Sequence, residues 1–397
     1  MNEHHDGATF FQKLRWSIPW LARYPFWRAN EFARRIYEPS AKTHVIFLVA
    51  NHWEPGTGGQ AIPRVEKWVN MARETGNALR DHDGMPFRHT NFYPAEQYEG
   101  PLLEMLAELQ AEGFGEVEIH LHHGVDAPDT AENTRRVLEE FRDTLAEKHK
   151  CLSREGSASP VKYAFVHGNW ALANSAGGRW CGVDSEMEIL AETGCYADFT
   201  LPSVPHQSQV NRINAIYNCG YPLSERKPHR SGPNVTKGKP LTLPIIFEGP
   251  LVFDWTRRIR SFPVPRVDDG ALAQNYPLNL GRFKRWRNAR ITIAGRPDWV
   301  FVKLYSHGFF DWDQDAMIGA QMKRFMSEVL ELSEKTQEFS VYFATAREAF
   351  NMVMAAVDGH SGSPGRYRDY KLRQIMQIES EGDPESLSSE DKVALGC

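Results

Sequence analysis

The stretch Glu116-Val-Glu-Ile-His-Leu-His-His-Gly-Val-Asp126 is where side chains able to do chemistry lie closest together. Val117, Ile119 and Leu121 alternate with Glu118, His120 and His122, the period of a strand with two different faces, and Gly124 ends the pattern. On such a strand His120 and His122 project from one face about 6 to 7 Å apart, twice the rise per residue. Two imidazoles so placed can converge on one metal ion, each nitrogen about 2.0 to 2.1 Å from a zinc. A single histidine there would be read as bonded to backbone or water. Three in four residues, with His123 beside His122, ask for more.

Other histidines share the placing. The apolar run 44–50 leads into Asn51, His52, Trp53 and Glu54; the run 161–166 leads into His167, Gly168, Asn169 and Trp170; the run 299–305 leads into Ser306, His307 and Gly308. Each histidine sits at or just past the C-terminal end of an expected strand. In a (β/α) barrel those ends share one rim, where chemistry collects. Glu54, Asp126, Asp198 and Glu248 bring carboxylates to the same level. His44 and His89, at strand starts, read as structural.

The elements that must carry these residues follow from periodicity. Helices are expected over residues 64–80, 101–112, 130–150, 186–193, 315–333 and 347–357, between strands at 44–50, 88–93, 116–122, 161–166, 196–202, 243–247, 299–305 and 339–343. Alternating strands and helices mean a largely parallel sheet with helices outside. Seven or eight strands in one chain suggest an α/β fold with a closed or nearly closed barrel across residues 41–358. Residues 203–242, polar and without pattern, read as a long inserted loop, either a lid over substrate or an irregular surface excursion. Residues 1–40 form an arm in which Trp16, Trp20 and Trp27 mix with Lys13, Arg15, Arg23 and Arg28. Pro19 and Pro25 are expected to interrupt any helix there. Such an arm packs over the domain or touches a membrane surface peripherally. Residues 359–397 read as a polar tail.

Composition narrows the function classes. The 397 residues carry a net charge of −5 without an acidic or basic block, which excludes a nucleic-acid footprint. Five cysteines, an odd number without CxxC spacing, suggest neither a disulfide framework nor a thiolate zinc site. No apolar run reaches the roughly 18 residues of a membrane span, and no signal-peptide core opens the chain, so a cytoplasmic location is expected.

In order along the chain, residues 50–56, His120-Leu-His-His123, Phe165-Val-His-Gly-Asn-Trp170, Tyr196-Ala-Asp-Phe199 and Leu304-Tyr-Ser-His-Gly308 resemble the five motifs of polysaccharide deacetylases, the superfamily of the nodulation-type chitooligosaccharide deacetylases. The resemblance spans residues 44–345 and lies in motif order more than in motif letters. It implies a distorted (β/α)7 barrel, a divalent metal held by one aspartate and two histidines, a second aspartate as base and a late histidine as acid. His307 matches that late histidine. Elsewhere the chain departs from the pattern. Asn51-His52 stands where the family has an Asp-Asp pair, the second-motif histidines are not four apart, and His167 occupies the motif that normally bears arginine.

The reading that follows is a metal-dependent hydrolase removing acetyl from an N-acetylated sugar or polysaccharide. His52, His120 and His122 would bind Zn²⁺ or a similar ion, since nitrogen ligation suits zinc, iron, nickel or copper better than magnesium. Glu54 or Asp198 would be general base and His307 general acid, with His167 a further catalytic candidate. Trp53, Asn169, Trp170, Tyr305 and Trp312 could meet the carbohydrate, or equally pack. Two alternatives stand: a glycosidase or phosphoesterase on the same barrel, the former needing carboxylates about 5 to 9.5 Å apart, and a non-catalytic carbohydrate-binding scaffold of polysaccharide assembly.

Overall fold

The computed structural model describes residues 7–38, 42–306 and 309–380. His307 and Gly308 therefore lie outside the described residues, as do residues 381–397 of the expected tail. Continuous apolar runs make the central strands: β1 (Thr43–His52), β2 (His89–Pro94), β3 (Gly115–Leu121), β4 (Tyr163–His167), β5 (Cys195–Asp198), β6 (Ile216–Asn218), β7 (Ile245–Phe247), β8 (Trp299–Ser306) and β9 (Phe339–Phe343). Among the described residues they form one sheet in the order β8-β1-β2-β3-β4-β5-β7-β6, with β9 also paired to β1. All pairings are parallel except β6 with β7. Both faces of a parallel sheet must be covered, and β3 is buried along its whole length. The α/β expectation holds, while the ladder itself does not close: β8 forms one edge and β6 the other.

The sheet is nevertheless strongly rolled. Phe92 of β2 meets Phe199, just past β5, at 5.9 Å between ring centres, although two strands lie between them. Phe247 of β7 meets Phe301 of β8 at 5.4 Å, so strands from opposite margins touch. Lys303 of β8 holds that seam, its buried ammonium donating to the carbonyls of Phe199 (2.5 Å) and Leu201 (2.8 Å).

Outside lie α2 (Ala61–Ala78), α3 (Gly100–Ala111), α4 (Ala131–Glu147), α5 (Glu186–Thr193), α6 (Leu280–Asn288) and α7 (Ala320–Thr336). The last, α8 (Ala346–Val357), differs: nearly every residue is buried, and it packs against β1 and β4. A helix covered all round belongs to a core. Its charges are matched in place, Arg347 bidentate to Glu116 (2.8 and 3.0 Å) and Glu348 bonded to Arg88 (2.6 Å).

Two sequence expectations need correction here. Residues 10–37 form one continuous helix, α1 (Phe10–Tyr37), begun by a capping box between Thr9 and Gln12, with Pro19 and Pro25 inside it. Both prolines face solvent, where water can bond the carbonyls that lose a donor. Residues 364–380 are not a loose tail. Leu372 and Ile375 are buried, residues 373–374 pair with 153–154, and Arg368 bonds Asp81 (2.8 Å). The inserted loop, though mostly irregular, holds β6 and buries Val210, Ile213, His229 and Val235, so much of it is interior packing.

Candidate functional site

Parallel registers bring the strand ends level. Asn51 pairs with Ser306, His52 with Phe92, Pro94 with His120, and Leu121 with His167. His52, His120 and His167 thus arrive at one end of the sheet, with His122 and His123 immediately beyond β3. Asn51, where the resemblance asks for an aspartate, is a tie between strands. It accepts from Ser306 Oγ (2.6 Å) and donates to Asn91 (3.3 Å).

These residues sort into two clusters. In the first, ligand atoms of His52, Glu54 and His120 lie within 4.8 Å of one another. His120 Nδ1 donates to the carbonyl of Val166 (3.0 Å), which leaves Nε2 as the lone-pair nitrogen, 3.3 Å from Glu54 Oε1. A lone-pair nitrogen facing a carboxylate oxygen needs a proton or a cation between them, and backbone-anchored Nδ1–H is the usual support of a metal-ligating histidine. The His52 ring lies tilted against two others, its centre 5.0 Å from that of His120 and 6.2 Å from that of Tyr305.

His122 adjoins this cluster without joining it. Its Nδ1 donates to Glu96 Oε1 (2.6 Å), and its Nε2 lies 3.9 Å from Glu54 Oε1. Burial alone would disfavour the imidazolium, but the Glu96 hydrogen bond and the Glu54 charge outweigh it and hold His122 above its ordinary range. Glu96 is correspondingly held low by His122, against its own burial. A cavity of about 320 Å³ opens beside the pair, lined by His122, His123, Glu96, Pro128 and Arg136 among others. Gly168 makes the room: a Cβ there would fall 2.2 Å from the His122 ring.

The second cluster, His123, His167, Cys181 and Glu186, is wholly buried, its ligand atoms likewise within 4.8 Å, and could hold a metal ion. Here the donor chemistry fits. Cys181 Sγ accepts backbone N–H groups from Asn174 (3.3 Å) and Val183 (3.4 Å), bonds a thiolate would use. His123 Nδ1 is fixed by Asp129 (2.9 Å), and its Nε2 faces Glu186 Oε1 (2.9 Å). Neither nitrogen of His167 has a hydrogen-bond partner among the described residues, the nearest carboxylate being Glu186 at 3.7 Å. Burial pushes His167 down to about 3, so it is a neutral imidazole. Glu186 is brought down to about 2, against its own burial, by the His123 charge and hydrogen bond and by the backbone N–H of Ala173. Two imidazoles, a thiol and a carboxylate, all buried, are the ingredients of a closed four-ligand site.

Several residues singled out from sequence go elsewhere. Trp53 is fully buried against Trp68, Tyr93 and Phe309 and offers no ring to a substrate. His167 belongs to the buried quartet rather than to an open rim. Asp198 is buried, tied to Thr200 (2.7 Å) and pushed up to about 7 by burial, with Thr200 and Lys303 opposing the shift. Glu248 is also buried, its pKa raised to about 8, and Asp126 is exposed. Asn169 and Trp170 are half-buried, Trp170 beside His206, and Tyr305 bonds Asp269 (2.8 Å). Trp312 is exposed and stacked on Phe310 at 4.6 Å, a flat face open to solvent.

Glu96, Asp129, Cys181 and Glu186 escaped the sequence reading, Cys181 because absence of CxxC was taken to exclude thiolate ligation. Their one signal was carboxylate and thiol groups near histidine-bearing strand ends. A scan against protein-family models finds no match to this chain, and a search of curated proteins finds none either.

Proposed function

We propose that the chain is a metal-dependent hydrolase of the polysaccharide-deacetylase type, removing acetyl from an N-acetylated carbohydrate. The observation that carries this is the convergence of His52, Glu54 and His120 on one point, beside a His122–Glu96 pair and an open cavity. His52, Glu54 and His120 are the ligands in this reading. A divalent ion there, zinc by its imidazole-rich set, would supply Lewis acidity to the acyl carbonyl and make water more acidic.

The chain's own groups divide the proton work. Glu96 holds the His122 ring by Nδ1, so Nε2 takes the proton from the attacking water as oxygen bonds to the acyl carbon. The carbon–nitrogen bond then breaks, and the departing amine receives a proton from His307, the residue that follows β8 in the sequence and matches the late histidine of the resemblance. General acid–base steps of this kind contribute about 10² to 10⁴ in rate. The exposed ring of Trp312, backed by the half-buried Phe310, is a surface on which a sugar ring can lie. The rolled sheet, stapled at its seam by Lys303, agrees with a distorted barrel. The buried quartet is a zinc site of the closed, structural kind, tying the end of β3 to the loop after β4.

A glycosidase is less favoured, because Asp198 and Glu248 are buried with raised pKa values rather than flanking the cavity. The test is protein purified without a histidine tag, assayed on an N-acetylglucosamine oligosaccharide before chelation, after it, and after zinc is restored. Activity lost and regained, and absent in His120→Ala, supports the reading. Activity indifferent to chelation refutes it, and carbohydrate binding without turnover favours the scaffold alternative.

A further inference from the structure

Helix α1 is apolar on the wrong side. Trp20 and Glu31 are buried against the body of the protein, yet Phe11, Leu14, Ile18, Phe32 and Ile36 recur at three-, four- and fourteen-residue spacings that place them on one line of the opposite face. Their exposures run from 46% at Leu14 to 78% at Phe11. Along that line stand Ala22, Pro25 and Ala29, so no charge interrupts it. The stripe runs most of a helix of about 42 Å at 1.5 Å per residue. Soluble surfaces rarely leave so long an apolar strip uncovered.

Charge around the stripe has one sign. The helix carries Lys13, Arg15, Arg23, Arg28, Arg34 and Arg35 against a single acid, Glu31, which is buried and paired with Arg34. Beside its C-terminal end a cavity of about 400 Å³ is lined by Arg35, Arg287 and Arg290, with Glu338 the acid among its walls. Burial and the neighbouring charges of Arg28 and Arg290 hold Arg35 below its ordinary value, the mark of cations crowded without enough anion. A second element repeats the composition. Residues 255–263 are all exposed and include Trp255, Ile259 and Phe262 with Arg257, Arg258 and Arg260, and no acid. Phe253, at the root of that excursion, packs against Trp20 and Tyr24 of α1.

From this we infer that α1 and the 255–263 excursion bind the surface of an anionic lipid bilayer, the apolar stripe entering the headgroup boundary and the arginines meeting lipid phosphates. An interfacial helix is recognised by an apolar face flanked by cations, with low hydrophobicity overall. Among the described residues no helix is long and apolar enough to cross a membrane. A second copy of this chain is the poorer occupant, since its cation rows would oppose these across the contact. Each arginine near an anionic surface is worth roughly fivefold in partitioning.

The experiment is co-sedimentation of the full chain with phosphatidylcholine vesicles and with the same vesicles containing phosphatidylglycerol. Binding is expected to the anionic vesicles alone and to weaken as salt is raised. Ile18→Asp with Phe32→Asp should abolish it with an unchanged melting temperature, because both side chains already face solvent. Arg35→Gln with Arg287→Gln should weaken it by roughly tenfold or more. The inference is overturned if neither vesicle binds, if neutral and anionic vesicles bind alike, or if the Asp variants instead dissolve a dimer that forms without lipid. None of these outcomes depends on the hydrolase reading.

Discussion

Replacing Gly168 by alanine probes the proton carrier without touching it. A methyl at that position would sit 2.2 Å from Cδ2, 2.4 Å from Cγ and 2.6 Å from Nε2 of His122. Ordinary contact begins at 3.4 Å, so the ring must retreat by about 1.2 Å. Gly168 is outside the left-handed region, so the backbone accepts alanine and the whole effect falls on His122. The retreat breaks its 2.6 Å bond to Glu96. Both partners are partly exposed, so that loss costs under about 1 kcal/mol, and residual crowding adds roughly 1 to 3 kcal/mol. The fold survives such a sum, but a base displaced by this much should lower kcat by about 10² to 10⁴. Zinc content should stay the same, because the three atoms nearest the new methyl all belong to His122 and none to His52, Glu54 or His120. The assay is kcat and KM on an N-acetylated oligosaccharide, with elemental analysis and melting temperature on the same preparation. Adding His122→Ala removes the clash. The double variant should regain stability but not activity, a non-additivity that isolates the ring. Full kcat in Gly168→Ala would refute the role given to His122, and loss of zinc would show that His122 is a ligand.

Two further outcomes test the interior. Cys181→Ser should lower the zinc content of the purified protein while metal at His52, Glu54 and His120 remains, and unchanged total zinc would mean that the buried quartet holds none. Glu248→Gln should stabilise the protein in a pH-dependent way. The Glu248 carboxyl rises from its ordinary 4.5 to about 8 on folding, chiefly by burial. A raised carboxylate costs nothing below pH 4.5 and destabilises progressively as pH climbs through 8. The variant's gain in melting temperature should therefore be small at pH 5 and largest near pH 8.5. An equal gain at both would show the carboxyl is not raised.

How much of this was legible in the sequence depends on what encoded it. Strands β1, β3 and β4 announced themselves as apolar or alternating runs, and because each led into histidine, the convergence of His52, His120 and His167 at one end of the sheet could be anticipated. The partition of those histidines could not. His122 and His123 are adjacent, yet one faces Glu96 and the other Glu186, and only tertiary packing decides which carboxylate reaches which ring. Cys181 and Glu186 stand on a loop and the helix after it, where no period relates them to β3 or β4. The 364–380 segment misled for a different reason. Arg368 and Asp369 look like solvated tail residues, but they answer the buried Asp81 and Arg347. Composition cannot tell a solvated charge from a neutralised one. Pro19 and Pro25 were given their average meaning as helix breakers, which fails on a face open to water.

The attachment of α1 has a consequence for how the molecule opens. Trp20, Ile213 and Leu251 form an apolar cluster separate from the main core, with Tyr24 and Phe253 packed at its edge. Regions held by few buried contacts unfold locally, at a free energy well below that of the whole. Helix α1 is then a cooperative unit of its own, whose amides should exchange with deuterium sooner than those of β1 or α8. Once undocked it would be apolar on two faces, Trp20 and Trp27 on one and Phe11 and Ile18 on the other. A strand of chain in that state either meets a surface or meets another like itself. The rate of that local opening, rather than global stability, would set how long the protein stays monodisperse in storage.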